Sequence, residues 1–308
     1  MKYYKDRAEE TKAFSNVLDT WLSGKSLCDR TKTVEKELNI PSRDLGRNVR
    51  TLQIRPKDTT GVLPAAIYFH GGGMASYSCF LNNFKTLGHL ISETMNVVVF
   101  MVDFRNSVNP SKNGDPIGPF PAGLNDCVDA LRWISSNHKS LNIYKEIVVT
   151  GESGGGNLSI ATAMATCKEE LISGLYLMCP FISGTYEPIP SKSYSSLKRN
   201  DGIILSSHSM ESYARAYGDG VMSNALAWPS VSKDYKLLRY LQKVHIRLNE
   251  FDPLLDEGKE FAQKCLESGL SDVTCSVDVG TVHGTGSFFP SLVRGPVDFS
   301  FPLTLHVH

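Results

Sequence analysis

The chain has 308 residues, 41% of them hydrophobic and 21% charged, an ordinary balance for a globular protein with one large core. Lysine plus arginine and aspartate plus glutamate number 32 each, so the formal net charge is zero. Without a net positive field the chain has no general attraction to nucleic acid or anionic lipid, and nucleic acid is excluded as the expected partner.

The start, MKYYKDRAEETKAF, is charged throughout and lacks the apolar core of a signal peptide. Residues 1–45 read as helical and polar, with Phe14, Val17, Leu18, Trp21 and Leu22 on one apolar stripe. From about residue 48 the pattern changes to alternating strands and helices. Strands are expected in NVRTLQI, LPAAIYF, NVVVFMV, EIVVT, GLYLMC, VHIRLN and TCSVDVG, and helices in FLNNFKTLGHLISE, AGLNDCVDALRWISSN, GGNLSIATAMATCKEEL and DEGKEFAQKCLESG. Uninterrupted apolar runs such as VVVFMV (97–102) suit strands buried on both faces, as in a parallel sheet. The alternation predicts a three-layer α/β protein. No apolar run approaches the ~18 residues of a membrane span, so no stable membrane insertion is expected.

Residues 181–228 break the rhythm, being rich in serine, tyrosine and proline and too long for a simple connection. The expected organisation is one domain over 1–308: N-terminal cap helices (1–45), core (46–180), cap insertion (181–228) and core again (229–308). Tyr186, Tyr194, Tyr213 and Trp228 are candidate pocket linings within the insertion. The cysteines, Cys28, Cys79, Cys127, Cys167, Cys179, Cys265 and Cys275, form no C-x-x-C pair and are odd in number. They read as buried reduced thiols, with no metal site, and imply a cytoplasmic setting.

The segment IVVTGESGGGNL packs glycines around Ser153 between a strand and a helix. A phosphate loop fails, because Asn157 and Leu158 stand where G-x-x-x-x-G-K-[ST] requires lysine and a hydroxyl. A dinucleotide fingerprint fails because its second glycine would have to sit at Ser153. The nucleophile-elbow pattern G-x-S-x-G fits directly as Gly151, Glu152, Ser153, Gly154, Gly155. YFHGGGM (68–74) follows another expected strand and matches the oxyanion element of esterases, making the N–H groups of Gly72, Gly73 and Gly154 the candidate oxyanion donors. The base should be a late histidine preceded by an acid. His283, in VHG beyond the last strand, fits, whereas His245 is in a strand, His89 and His138 are in helical patterns, His208 is in the insertion, and His306 and His308 read as a stray terminal pair. NEFDPLLDEG offers Glu250, Asp252, Asp256 and Glu257; Asp252, where a strand ends, is favoured.

Together, HGGG, GESGGGN, DPLLDEG and VHG, spread over roughly residues 48–290, resemble the hormone-sensitive-lipase-like branch of the α/β-hydrolases, a group of serine carboxylesterases. The resemblance implies an α/β-hydrolase fold, a mostly parallel sheet flanked by helices under a helical cap. It implies Ser153 as nucleophile, His283 as base, Asp252 as its orienter, and Gly72, Gly73 and Gly154 as oxyanion hole. It differs from many relatives at Glu152, Met74 and Leu255. Asp103 and Arg105 are expected to form an ion pair or a backbone brace. The expected reaction is hydrolysis of a small short- to medium-chain acyl ester without metal or organic cofactor, and homo-oligomer formation is left open. A non-catalytic small-ligand receptor on this fold, or a hydrolase of amides, lactones or carbamates, is the alternative.

Overall fold

The structure, a computed structural model, describes residues 28–112, 114–187 and 195–288. The expected stripe at 14–22, Tyr194, His306 and His308 lie outside the described residues.

Eight strands build one sheet: β1 (Thr33–Pro41), β2 (Asn48–Pro56), β3 (Leu63–Phe69), β4 (Val98–Asp103), β5 (Ile143–Glu152), β6 (Ile172–Met178), β7 (Lys243–Phe251) and β8 (Val273–Val282), in the order β1-β2-β4-β3-β5-β6-β7-β8. The first two pairings, β1 with β2 and β2 with β4, are antiparallel, and the rest are parallel. Every residue of β4 is buried. Successive side chains leave it on opposite faces: Val98, Phe100 and Val102 join one core cluster, Val99 and Met101 the other. Helix α1 (Asn82–Met95) covers the second face through Phe84, Leu87 and Ile91. On the first face pack α2 (Ala122–Ser136) and, after the single turn of α3 (His138–Leu141), α4 (Gly154–Ala165). Helix α4 is apolar or small all round, and every residue from Gly154 to Met164 is buried.

The helical reading of residues 1–45 fails at 33–41, which form β1. Only Thr33, Leu38 and Ile40 of this strand are buried. An edge strand pairs on one side only, and long charged side chains there keep other chains from adding to the sheet. That leaves Glu35, Lys36 and Glu37 looking like the polar face of a helix.

Between β6 and β7 the chain makes its long excursion, with α5 (Ser195–Arg199) and α6 (Ser207–Gly218) among the described residues. Phe181, Tyr186, Tyr217 and Trp228 pack edge and face on one another and are fully buried, so they anchor the excursion to the core. The Asn157 amide donates to the carbonyls of Phe181 (3.0 Å) and Ala227 (2.9 Å), tying both ends of the excursion to α4. Two helices complete the chain's described part: α7 (Leu255–Glu267) after β7, and the short α8 (Thr285–Phe288) after β8.

Candidate active site

Parallel strands end on one edge of the sheet, and the candidate groups collect there. Ser153 stands between the end of β5 and the start of α4, at φ 54° and ψ −117°. That is a strained conformation for a residue with a side chain, and here the turn holds it. Gly155 is obligatory in this turn: a Cβ would run into the Phe69 carbonyl and lie 2.7 Å from that of His70. Strand β3 and the start of α4 can approach only because that side chain is missing.

The imidazole of His283, one residue past β8, lies with Nε2 3.0 Å from Ser153 Oγ and Nδ1 2.8 Å from Asp252 Oδ2. A carboxylate can only accept, so Nδ1–H donates to Asp252 and Nε2 is left to accept the serine proton. The second oxygen of Asp252 accepts from the Leu254 amide at 2.9 Å. Thr285 steadies the loop, accepting from the Val282 amide at 3.0 Å and donating to its carbonyl at 2.7 Å. All three side chains are nearly inaccessible: Ser153 is 8%, His283 4% and Asp252 0% exposed. Burial opposes a charged ring, yet Asp252 and the Cys179 sulfur together outweigh it and raise His283 well above the usual histidine value.

The HGGG loop reaches Ser153 through Gly71, where a Cβ would lie 3.7 Å from Ser153 Cβ. Gly72 and Gly73 take φ of 111° and 63°, which only glycine adopts cheaply. Gly154 opens α4, whose first N–H groups have no partner within the helix. It faces Gly73 and Met74 closely: a Cβ on Gly154 would stand 2.6 Å from Met74 N and 2.9 Å from the Gly73 carbonyl carbon. His70 braces the loop from behind. Its Nδ1 donates to the Gly71 carbonyl at 2.7 Å, its ring stacks on Phe104 at 4.2 Å, and burial pushes it down to about 4, so it stays neutral.

Of the candidate linings, Tyr213 alone among the described residues packs on the site: a Cβ on Gly73 would meet its Cβ and Cγ at 3.0 Å. Tyr186 and Trp228 are core instead. Asp103 and Arg105 do not pair with each other. Asp103 ends β4 and meets Arg50 (3.4 Å), its register partner on β2, and Ser78 (2.7 Å). Arg105, beyond the strand, turns to Asp126 on α2 and to Asp44. The strand end separates the two directions.

Three groups take up positions that the sequence did not assign them. Glu152 is buried beneath the site, where burial, opposed by a hydrogen bond from Ser287, holds its carboxyl above the ordinary value. Glu257 accepts from the Ile182 amide (2.8 Å) and the hydroxyls of Ser183 (2.5 Å) and Tyr186 (3.2 Å), locking the start of the excursion to α7. Cys179, just past β6, lies buried with its thiol close to His283 and Asp252.

A family model described as the alpha/beta hydrolase fold matches residues 66–287. An arylesterase of Saccharolobus solfataricus is 27% identical over 252 residues, spanning 80% of this chain and 76% of its own. Among solved structures, esterase Est22 with p-nitrophenol superposes with a TM-score of 0.83 at 35% identity, over 93% of this chain and 86% of that one. Brefeldin A esterase, described as a bacterial homologue of human hormone-sensitive lipase, superposes with a TM-score of 0.78 at 32% identity, over 92% and 78%. With this sheet order and these matches, the chain belongs to the α/β-hydrolase family, in its hormone-sensitive-lipase-like branch of esterases.

Proposed function

We propose that the protein is a serine carboxylesterase acting on short- to medium-chain acyl esters through an acyl-enzyme. The observation that carries this reading is the continuous chain from Ser153 Oγ to His283 to Asp252, at 3.0 and 2.8 Å. His283 takes the serine proton as Oγ attacks the ester carbonyl. The N–H groups of Gly72, Gly73 and Gly154 stabilise the oxyanion, each such donor typically contributing about 10²–10³ in rate. His283 then gives its proton to the leaving alcohol. Water, deprotonated by the same ring, attacks the acyl carbonyl and releases the acid. Asp252 is a positioning residue that keeps the ring in the productive tautomer.

Residues 181–228, with the N-terminal segment, serve as the cap that selects the acyl and alcohol groups. The packing of Tyr213 over Gly73 supports this assignment for α6. No helix of the described residues is long and apolar enough to cross a membrane, in keeping with a small, water-borne ester.

Ser153→Ala is expected to abolish p-nitrophenyl ester turnover and labelling by an organophosphonate probe. A variant keeping most of its activity refutes the nucleophile. Tight binding of a small ligand with no turnover by the unmodified protein would favour the receptor reading instead.

A further inference from the structure

We infer that Cys179, Asp252 and His283 form a binding site for a soft divalent cation, such as Zn²⁺ or Cd²⁺, whose occupancy switches the triad off. One ligand atom from each residue lies within 4.8 Å of the other two, and all three side chains are buried. They come from three different strand ends, so the sheet itself brings them together. Cys179 is held by its backbone: at φ 35° it turns out of β6, and its N–H donates to the Arg247 carbonyl on β7 at 2.8 Å.

Thiolate, imidazole and carboxylate are the ordinary donors of a four-coordinate zinc site. With metal–ligand bonds of about 2.0–2.3 Å, tetrahedral donors stand about 3.5 Å apart. The present spread therefore needs only small side-chain rotations to close. A second observation points the same way. Glu152 is 2% exposed, and its Oε2 has no hydrogen-bond partner. It lies within electrostatic reach of Cys179, His283 and Asp252. A buried carboxylate oxygen with nothing to accept is what a cation would satisfy. The thiol makes the site soft, which favours zinc and cadmium over magnesium or calcium.

Binding and catalysis exclude each other whichever ring nitrogen the ion takes. Nδ1 is bonded to Asp252 and Nε2 faces Ser153, so coordination at either removes a contact the proton transfer needs. As the metal–ligand bonds form, the thiol proton and any imidazolium proton leave to solvent, and no redox step occurs. The ion is an inhibitor here and has no part in hydrolysis.

The test titrates Cd²⁺ into the chelator-treated full chain and into Ser153→Ala, Cys179→Ala and Cys179→Ser. Two readouts are followed: ester turnover of the unaltered chain and the two Cys179 variants, each against its own metal-free rate, and, in all four proteins, the ultraviolet charge-transfer band of a cadmium thiolate. The turnover arm rests on the esterase reading; the absorption arm does not. Inhibition of the unaltered chain should be reversible by chelator, and both Cys179 variants should need at least about tenfold more Cd²⁺. The band should persist in Ser153→Ala and fall in both Cys179 variants, the other cysteines contributing equally to all. Equal sensitivity and equal bands with and without Cys179 overturn the site. A chain that hydrolyses no ester but shows the Cys179-dependent band keeps the site and sinks the esterase reading.

Discussion

Replacing Asp252 by asparagine tests the proton path with almost no change of shape. Asp252 is wholly buried, and its two oxygens are committed: Oδ1 to the Leu254 amide at 2.9 Å, Oδ2 to His283 Nδ1 at 2.8 Å. The Leu254 N–H still requires an acceptor in the variant, so the carboxamide oxygen stays there and the NH₂ faces Nδ1. Nδ1 must then accept, and the ring proton moves to Nε2, against Ser153 Oγ. A ring in that tautomer cannot take the serine proton. The expected loss in kcat/KM is about 10⁴-fold, or about 5.4 kcal/mol of transition-state stabilisation at ~1.36 kcal/mol per decade. The pH profile supplies a second reading. Burial alone would lower His283, and Asp252, with a further contribution from Cys179, raises it well above 6.5. The protonated ring is inactive, so the acid limb of the unaltered protein should sit well above pH 6.5 and move down in the variant. Turnover of p-nitrophenyl butyrate from acid to alkaline pH, corrected for spontaneous hydrolysis and with thermal melting as the fold control, measures both. An Asp252→Asn variant that melts normally, keeps more than about a tenth of its activity and has an unmoved acid limb would refute the reasoning.

Gly154→Ala places a Cβ 2.6 Å from Met74 N and 2.9 Å from the Gly73 carbonyl carbon, prising apart the expected oxyanion donors. kcat should fall by about 10²–10³ with KM little changed, and an undiminished kcat would remove those amides from the mechanism. Asp126→Ala strips the shared acceptor from Arg47 and Arg105, whose side chains are only 18% and 12% exposed. Urea unfolding should show a loss of about 3–5 kcal/mol, and a loss well under that range would mean water already satisfies both guanidiniums. Burial pushes Glu257 from 4.5 up to about 7, despite its hydrogen bonds. Folding therefore takes up a proton between those values, so the contribution of Glu257 to stability is full below pH 4.5 and is lost as pH rises through 7. Glu257→Gln should flatten this part of the melting-temperature profile, and an unchanged slope would assign it to other groups.

Much of the fold is legible in the sequence because its central strands bury both faces: VVVFMV has no polar position to confuse with a helix. β1 is illegible for the opposite reason. Its exposed Glu35, Lys36 and Glu37 serve solubility at an open edge, and of its apolar side chains Leu38 and Ile40 are buried while Val34 is exposed. Ser153 is readable because the elbow needs glycines at fixed offsets in the chain. His283 is readable because it follows a strand and sits between glycines. Asp252 had three acidic neighbours as rivals, and strand placement separated it from them. Cys179 and Glu152 carry no such mark. Their importance comes from what stands across the sheet from them, and one residue of spacing says nothing about a neighbour on another strand. Arg105 shows the same limit: its partner, Asp126, is a helix away in sequence, and the nearer Asp103 looked the better match.

The residue that spoiled the phosphate-loop reading turns out to connect chemistry with specificity. Asn157 sits one turn past Ser153, fully buried, and its amide nitrogen donates to the Phe181 and Ala227 carbonyls. Two carbonyls need two hydrogens from one compact neutral group, which asparagine supplies and aspartate or leucine cannot. Both ends of the long excursion are thus fastened to the helix that begins next to Ser153. The segment between them can change length and lining without transmitting strain to the serine, because its ends stay fixed relative to Ser153. Under the cap role proposed for residues 181–228, that separation lets the lining vary while Ser153 stays in place, and a single carboxamide provides it here.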